Sequence, residues 1–486
     1  MLVAISLRIC VVNALPVQAA NGETDVRDSL VKIYTVQTEA DYVNPWNMGS
    51  PSTITGSGCV IEGNRILTNA HVVSDQTFIQ VRLHGRSEKH RAEVVAVSHE
   101  ADLALLRVDD PSVLEGITPL QLGDLPEVQQ DVVVYGFPEG GDTLSATEGV
   151  ISRIEHQRYV HSRLDLLAVQ LDAAVNAGNS GGPVLFRDRV VGVVMQTLID
   201  ADNIGYMVPG PVVERFLRDL KDGDYDGIPD LGLSWQSIEN EALRKMYDLG
   251  SQQSGVLVTA VASEMPAATQ IEEGDVIVSI DGHDVAGDGT VEFRPHERTS
   301  MDYYVQQHQI GDWIHVKLVR SGAHRSVWIE LAKTLNDALL VPSERYDIRP
   351  RYYVYGGLVF SPLTMNYLKT WGEEWNRDAP DRLLHLRYYY RDTYTNEAVL
   401  LVKVLPSRGN AGYHDITDWH ITEVNGQAVK DLPELIELVE NSTEPLVVFG
   451  TEDGSVIALD REKAELESPE NLEIYGIPTD RSEDLR

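Results

Sequence analysis

The sequence predicts a mostly β protein, with a strand-rich domain of barrel or sandwich type followed by two smaller α+β modules. Three observations carry that reading. Residues 30–207 read as short β-rich runs bounded by Gly, Pro, Asn or Asp, with almost no helical periodicity. A strand running into a tight turn recurs downstream, as Ile277-Val278-Ser279-Ile280-Asp281-Gly282 and as Ile421-Thr422-Glu423-Val424-Asn425-Gly426. The length of 486 residues fits roughly three domains at about 150 each.

The elements follow in chain order. Residues 1–20 hold a short apolar stretch, Ile9 to Val17, behind Arg8, with the small-residue end Val17-Gln18-Ala19. This is a candidate signal peptide and predicts an exported protein, most simply in a bacterial periplasm. Residues 21–221 form the first domain. Val31 to Val36, Phe78 to Leu83 and Asp131 to Tyr135 are its clearest strands, and Pro211 to Leu220 is an amphipathic helix with Pro at its start. Residues 222–230 read as an acidic linker. Its carboxylates Asp222, Asp224, Asp226 and Asp230, with Gly227, match the first part of a calcium loop. Leu233 stands where the closing Glu of such a loop belongs, so a flexible hinge is the reading. The first α+β module spans 231–335 with a hairpin around Ser321-Gly322. A connector with Pro342 and Pro350 covers 336–352. The second, more degenerate module spans 353–460 with a hairpin around Asp453-Gly454, and 461–486 reads as an acidic tail, only partly ordered.

Composition excludes several functions. Forty Lys+Arg against 75 Asp+Glu leave a net charge of −35, which disfavours nucleic acid or an anionic membrane as partner. No apolar run approaches the roughly 18 residues of a membrane-spanning helix, so no integral membrane segment is expected. Two cysteines, Cys10 and Cys59, rule out a disulfide framework and a zinc site of several thiolates. Cys59, inside Gly56-Ser57-Gly58-Cys59-Val60, reads as a buried strand residue. The histidines lack metal-ligand spacing and there is no phosphate-binding P-loop. Neither a metal nor another cofactor is expected, and any activity is independent of ATP.

Three segments of the first domain carry chemistry: Thr68-Asn69-Ala70-His71-Val72-Val73, Ala101-Asp102-Leu103-Ala104-Leu105-Leu106 and Asn176-Ala177-Gly178-Asn179-Ser180-Gly181-Gly182-Pro183. A serine hydroxyl needs a base to take its proton, and an imidazole suits that task near neutral pH. The imidazole in turn needs a carboxylate that fixes its tautomer. The order His, Asp, Ser is that of chymotrypsin-like double barrels. Glycines around Ser180 let the amides of Gly178, Asn179 and Ser180 turn toward one oxygen, as an oxyanion hole worth about 2.7–4 kcal/mol per donor. A lone His or a lone glycine-rich loop is commonly structural; all three segments in this order are not.

These segments resemble the HtrA/Deg serine proteases, a trypsin-like domain followed by PDZ modules. Within that family the chain is most similar to the two-PDZ Deg proteases of plants and their bacterial relatives. Asn44-Pro45-Trp46, Tyr355-Gly356-Gly357-Leu358-Val359-Phe360-Ser361-Pro362-Leu363-Thr364 and Gly476-Ile477-Pro478 extend the likeness over nearly the whole chain. The resemblance implies a chymotrypsin-like double β-barrel protease domain followed by two α+β PDZ-like domains. It makes His71 the general base, Asp102 its orienter and Ser180 the nucleophile. It assigns Val175, Ile204, Tyr206 and Met207 to a shallow apolar substrate pocket, and Leu231, Gly232, Leu233 and Ser234 to a PDZ carboxylate-binding loop. It also implies a trimer or a multiple of three, with unfolded or misfolded polypeptides as substrates and C-terminal or extended peptides as ligands of the first PDZ domain. Asn179 carries no charge for a newly cleaved N-terminus, so activation is expected from rearrangement of residues 153–166, 173–180 and 197–204. The competing reading is a non-proteolytic chaperone or scaffold that binds unfolded chains or C-terminal peptides.

Overall fold

Strand register decides where the chemistry sits. The computed structural model describes residues 25–197, 205–250 and 254–486; the candidate signal peptide therefore lies outside the described residues. Six strands, β1 (Leu30–Gln37), β2 (Ser52–Ile61), β3 (Arg65–Thr68), β4 (Gln76–Leu83), β5 (His90–Ser98) and β6 (Leu103–Val108), close a barrel in the order β1-β2-β3-β6-β5-β4. Val31, Ile33, Val60, Ile66, Val81 and Leu106 fill it. The second barrel uses β7 (Gln121–Leu122), β8 (Asp131–Gly136), β9 (Ser145–Arg158), β10 (Asp165–Asp172), β11 (Pro183–Phe186), β12 (Arg189–Thr197) and β13 (Gly205–Pro209). Their order is β11-β8-β9-β10-β13-β12-β7, closed by the β11–β12 pairing. Helix α1 (Gly210–Asp219) then lays Val212, Val213 and Phe216 on that barrel, with Pro211 in its first turn, as the periodicity predicts.

The acidic stretch after α1 is not the free hinge that its composition predicts. The Tyr225 hydroxyl lies 2.6 Å from Ser98 Oγ and 3.0 Å from Glu100 Oε2, and the Ile228 N–H donates to the same Glu100 oxygen at 2.7 Å. Ile228 is buried and Tyr225 partly buried against the core that the two barrels share, and that burial outweighs solvation of the neighbouring carboxylates.

In the first α+β module, the strands Leu233–Ser237, Val256–Val261, Val276–Ile280, Trp313–Arg320 and Ala323–Glu330 lie side by side in chain order, so Leu233–Ser237 is an edge strand. The second module differs. There Leu358–Pro362 is flanked on one side by Val399–Val404 and on the other by its own preceding strand, Tyr353–Tyr355. The two strands are joined by Gly356 and Gly357, with φ of 54° and 82°, the two positive angles that a two-residue hairpin of this hand requires.

Two sequence expectations need correction here. Leu340 and Val341 of the connector are buried in one cluster with Tyr352, Leu363, Leu368 and Leu400, so that segment belongs to the second module's core. Residues 461–486 are ordered: Arg461–Ile474 is a helix capped by Asp460, and Tyr353 bridges Arg481 as a further strand contact. Charge density hid the few apolar anchors, Ala464 and Ile477, which are 3% and 5% exposed. Ile477→Ala should therefore destabilise the second module by about 2–4 kcal/mol, read as an earlier urea midpoint by tryptophan fluorescence; an unchanged midpoint would contradict the packing described.

Candidate active site

Antiparallel pairing of β3 with β6, in the register Thr68 opposite Ala104, brings the end of one strand beside the start of the other. His71 follows β3 by three residues and Asp102 immediately precedes β6, so the two meet. The His71 N–H donates to Asp102 Oδ1 at 2.9 Å, and His71 Nδ1 lies 3.0 and 2.8 Å from the two carboxylate oxygens. This double contact fixes both the backbone and the ring. Asp102 is 1% exposed and adopts a left-handed backbone, φ 53°, held by Asn69, whose Nδ2 donates to the Asp102 carbonyl at 2.7 Å. Burial disfavours the His71 cation, but the charge and hydrogen bond of Asp102 outweigh it and leave the imidazole pKa above its usual value. Burial likewise opposes the Asp102 anion, and His71 brings its carboxyl below the usual carboxylate range.

Ser180 comes from the second barrel, in the loop between β10 and β11. Three backbone hydrogen bonds hold its loop. Asn179 N–H donates to Asn176 O at 3.0 Å, and Gly178, third in that turn, has φ 91°, which makes it a type II turn. The Ala177 carbonyl accepts from Glu139 N–H at 2.8 Å, and Ser180 O accepts from Ser57 N–H at 2.8 Å. Because a trans peptide points its C=O and N–H in opposite directions, the Gly178 N–H faces away from Glu139. The amides of Gly178 and Ser180 donate to no other protein group among the described residues. Asn179 is a correction: its amide closes the turn, so two donors of the expected three remain. Its side chain is 2% exposed and packed on Gly136.

Sequence reasoning passed over Ser57, which ties the two barrels together at this point. Its Oγ donates to Gly178 O at 2.7 Å and accepts from Phe137 N–H at 2.8 Å, while its carbonyl accepts from Thr68 Oγ1 at 2.7 Å. The signal was present in Gly56-Ser57-Gly58, a hydroxyl between two glycines within an apolar strand, but nothing local says what it bonds. The neighbouring Cys59 is fully buried against this strand pair, and burial pushes its thiol up to about 12, which leaves it unreactive.

The residues expected to line a substrate pocket lie in different surroundings. Tyr206 and Met207 are both fully buried in the second barrel, and adjacent strand residues point to opposite faces, so they cannot line one open pocket together. The Tyr206 hydroxyl accepts from Arg153 Nη2 at 3.0 Å and lies 3.3 Å from Glu155. Val175 is half-buried beside Gly205, at the base of the Ser180 loop. Ile204 lies outside the described residues.

The expected PDZ loop is also partly engaged already. The Gly232 N–H donates to Asp230 Oδ1 at 2.6 Å, and Ser234 Oγ is 3.1 Å from the Tyr390 hydroxyl of the second module. Burial, and then the charge of Asp302, lift the Asp230 carboxyl to about 6. Leu231 is buried in the module's core, and Leu233 begins the edge strand.

Replacing Ser57 by Ala leaves the Gly178 carbonyl without its donor, and a buried group left unpaired costs about 1–3 kcal/mol. The variant should keep its secondary structure by circular dichroism and lose peptidase turnover through kcat more than KM; wild-type kcat would show that the Ser180 loop does not depend on this hydroxyl.

Comparison with known proteins places this geometry. Residues 56–193 match the family model of the trypsin-like peptidase domain, and residues 229–331 and 341–484 each match a PDZ domain. The chain is 38% identical over 464 residues to Protease Do-like 2, chloroplastic, of Arabidopsis thaliana, covering 94% of this chain and 75% of that protein. It is 35% identical over 453 residues to Protease Do-like 4, mitochondrial, of the same plant, covering 93% and 84%. Among solved structures, the HtrA-type protease AlgWS227A with decapeptide shares the fold with a TM-score of 0.51 at 21% identity, over 66% of this chain and 96% of that one. With a trypsin-like domain and two PDZ domains in one order, and with relatives of this identity along nearly its full length, the chain belongs to the Do-like (HtrA/Deg) family of serine proteases.

Proposed function

We propose that this protease is an ATP-independent endopeptidase of unfolded or damaged polypeptides, and that His71, Asp102 and Ser180 are its catalytic residues. The observation that carries the reading is the doubly bonded His71–Asp102 pair at the mouth of the first barrel, next to a Ser180 loop tied to that barrel through Ser57. In this mechanism neutral His71 takes the Ser180 proton as the hydroxyl attacks the scissile carbonyl. Asp102 holds the tautomer with Nδ1–H toward itself and stabilises the cation that forms. The amides of Gly178 and Ser180 receive the oxyanion, and His71 then returns the proton to the leaving amine. Water repeats the sequence on the acyl-enzyme.

The PDZ domains divide the work of recognition. The first offers Leu233–Ser237 as a free sheet edge to which an extended segment can add as a strand. Because Asp230 already takes the Gly232 amide, this edge favours extended segments over a free terminal carboxylate. In the second domain both sides of Leu358–Pro362 are occupied, which supports a role in holding the molecule together. Assembly as a trimer or a multiple of three belongs to the same reading; sedimentation equilibrium measures it. Among the described residues no helix is long and apolar enough to cross a membrane. Residues 1–20 act in this proposal as a targeting segment that takes the chain out of its compartment of synthesis; the two plant relatives are mitochondrial and chloroplastic by name, and the bacterial periplasm is the destination the sequence favours.

Two experiments test the assignment. Ser180→Ala should abolish β-casein digestion and covalent labelling by a fluorophosphonate, while a scaffold would bind casein equally well with or without the hydroxyl. The pH profile gives a second test. The base acts when neutral and its pKa lies above the usual value of about 6.5, so kcat/KM should rise with pH to a plateau with its midpoint above that value. Asp102→Asn removes the charge that raises it, so the midpoint should fall as kcat drops by about four orders of magnitude. A flat profile from pH 5 to 8 would remove His71 from the role.

A further inference from the structure

Residues 343–348, at the start of the second PDZ domain, run over the protease domain near the His71–Asp102 pair. The Tyr346 ring stacks on His161 with centroids 4.1 Å apart and on His99 at 4.7 Å, and its hydroxyl donates to the His161 carbonyl at 3.1 Å. The His161 ring centroid is in turn 6.1 Å from that of His71. His161 Nε2 and His99 Nδ1 are 3.0 Å apart, and His99 Nε2 is 3.0 Å from Asp347 Oδ2. With both rings neutral the chain of donors is closed: His161 Nε2–H donates to His99, and His99 Nε2–H donates to Asp347.

The connector also grips the turn that carries His71. Asp75 N–H donates to Asp347 Oδ1 at 2.7 Å, and Asp347 N–H donates to Asp75 Oδ1 at 2.8 Å. Its other side is mounted on the second PDZ domain. The Asn366 side-chain amide bonds both the N–H and the carbonyl of Arg345, at 2.8 Å each, and Lys369 pairs with Glu344. That domain is itself docked on the early protease loop, where Trp46 meets Tyr352 edge to face at 5.8 Å and Lys403 lies 5.3 Å over the Trp46 ring. The connector is thus a rigid arm of the second PDZ domain, and its tip rests in a ring-lined patch at the general base.

A polypeptide that presents its scissile carbonyl to Ser180 must run extended past the His71 ring, of which one third of the side chain reaches solvent (33%). The Tyr346 ring is one imidazole away from the His71 ring, through His161. We propose that residues 343–348 form an inhibitory strap on the catalytic cleft, held by Tyr346 stacked across the paired His161 and His99 rings and by the Asp347–Asp75 pair, and withdrawn when the second PDZ domain moves. This rests on the assignment of His71, Asp102 and Ser180. Withdrawal needs no chemistry at the triad: it breaks the two backbone–carboxylate bonds, the His99–Asp347 bond, the Tyr346 hydroxyl bond and the stacking of Tyr346 on two rings, and leaves the His71–Asp102 contact intact.

The test uses the full chain and moves the strap in both directions. Tyr346→Ala should raise the initial rate of β-casein digestion about fivefold or more, a coupling of ordinary allosteric size, with an unchanged elution volume. In the opposite sense, Asp75→Cys with Asp347→Cys, oxidised to a disulfide, should digest casein about tenfold more slowly than the same protein reduced by dithiothreitol. Fluorophosphonate labelling of Ser180 in the wild type is the control that separates the two readings. If Ser180 is labelled and digestion is unchanged by the lock and unchanged or lowered by Tyr346→Ala, the strap is wrong and the triad stands. If Ser180 is never labelled, both fall.

Discussion

In the proposed mechanism the base and the nucleophile are supplied by different barrels, so the structure depends on how those barrels are tied at their seam. The tie is Ser57. Its N–H holds the Ser180 carbonyl, its hydroxyl holds the Gly178 carbonyl, and its own carbonyl is held by Thr68, the last residue of the strand that leads to His71. One residue of β2 thus connects the turn that carries Ser180 with the strand that leads to His71. Glycine at 182 is part of the same fit, because a Cβ there would lie 2.0 Å from the Tyr135 carbonyl. The dense hydrogen bonding leaves little slack, which is what a site needs if attack geometry is to be set before substrate arrives.

Most of the fold was legible because it is written in local patterns. The strands of residues 30–207, helix α1 and the repeated strand-turn unit announce themselves by alternation, by Pro211 in the first turn and by Asp-Gly or Asn-Gly turns. His71, Asp102 and Ser180 were legible because each sits in a short string whose residue types suit one task. Partners far apart in sequence were not. Ser57 bonds residues 80 and 121 positions away, and no spacing rule reaches that far. Tyr206 and Met207 look like pocket residues in sequence, yet strand alternation and full burial separate them. The acidic stretches at 222–230 and 461–486 misled in one direction: net charge predicts solvation, whereas a single Tyr, Ile or Ala facing a neighbouring core is enough to dock a charged segment.

The interdomain contacts give the resemblance strings a physical meaning. Asn44 and Trp46 of the early loop meet Lys403 and Tyr352, and Ile477 closes the core of the second PDZ domain. The first PDZ domain is docked separately: Thr299 and Gln306 bond His156, and Arg294 donates to the Leu125 and Pro126 carbonyls. Both regulatory domains therefore hold the protease through side-chain hydrogen bonds and a few rings. Such contacts can open without unfolding either partner, as a large apolar interface could not.

If the substrates are misfolded chains, as proposed, the glycine pair at 356 and 357 has a further consequence. Such clients carry strand-forming segments that stick to any unpaired backbone ladder. By folding Tyr353–Tyr355 back along Leu358–Pro362, the second PDZ domain seals that ladder with its own chain. Under the proposed function, strand addition is thereby left to the Leu233–Ser237 border of the first PDZ domain.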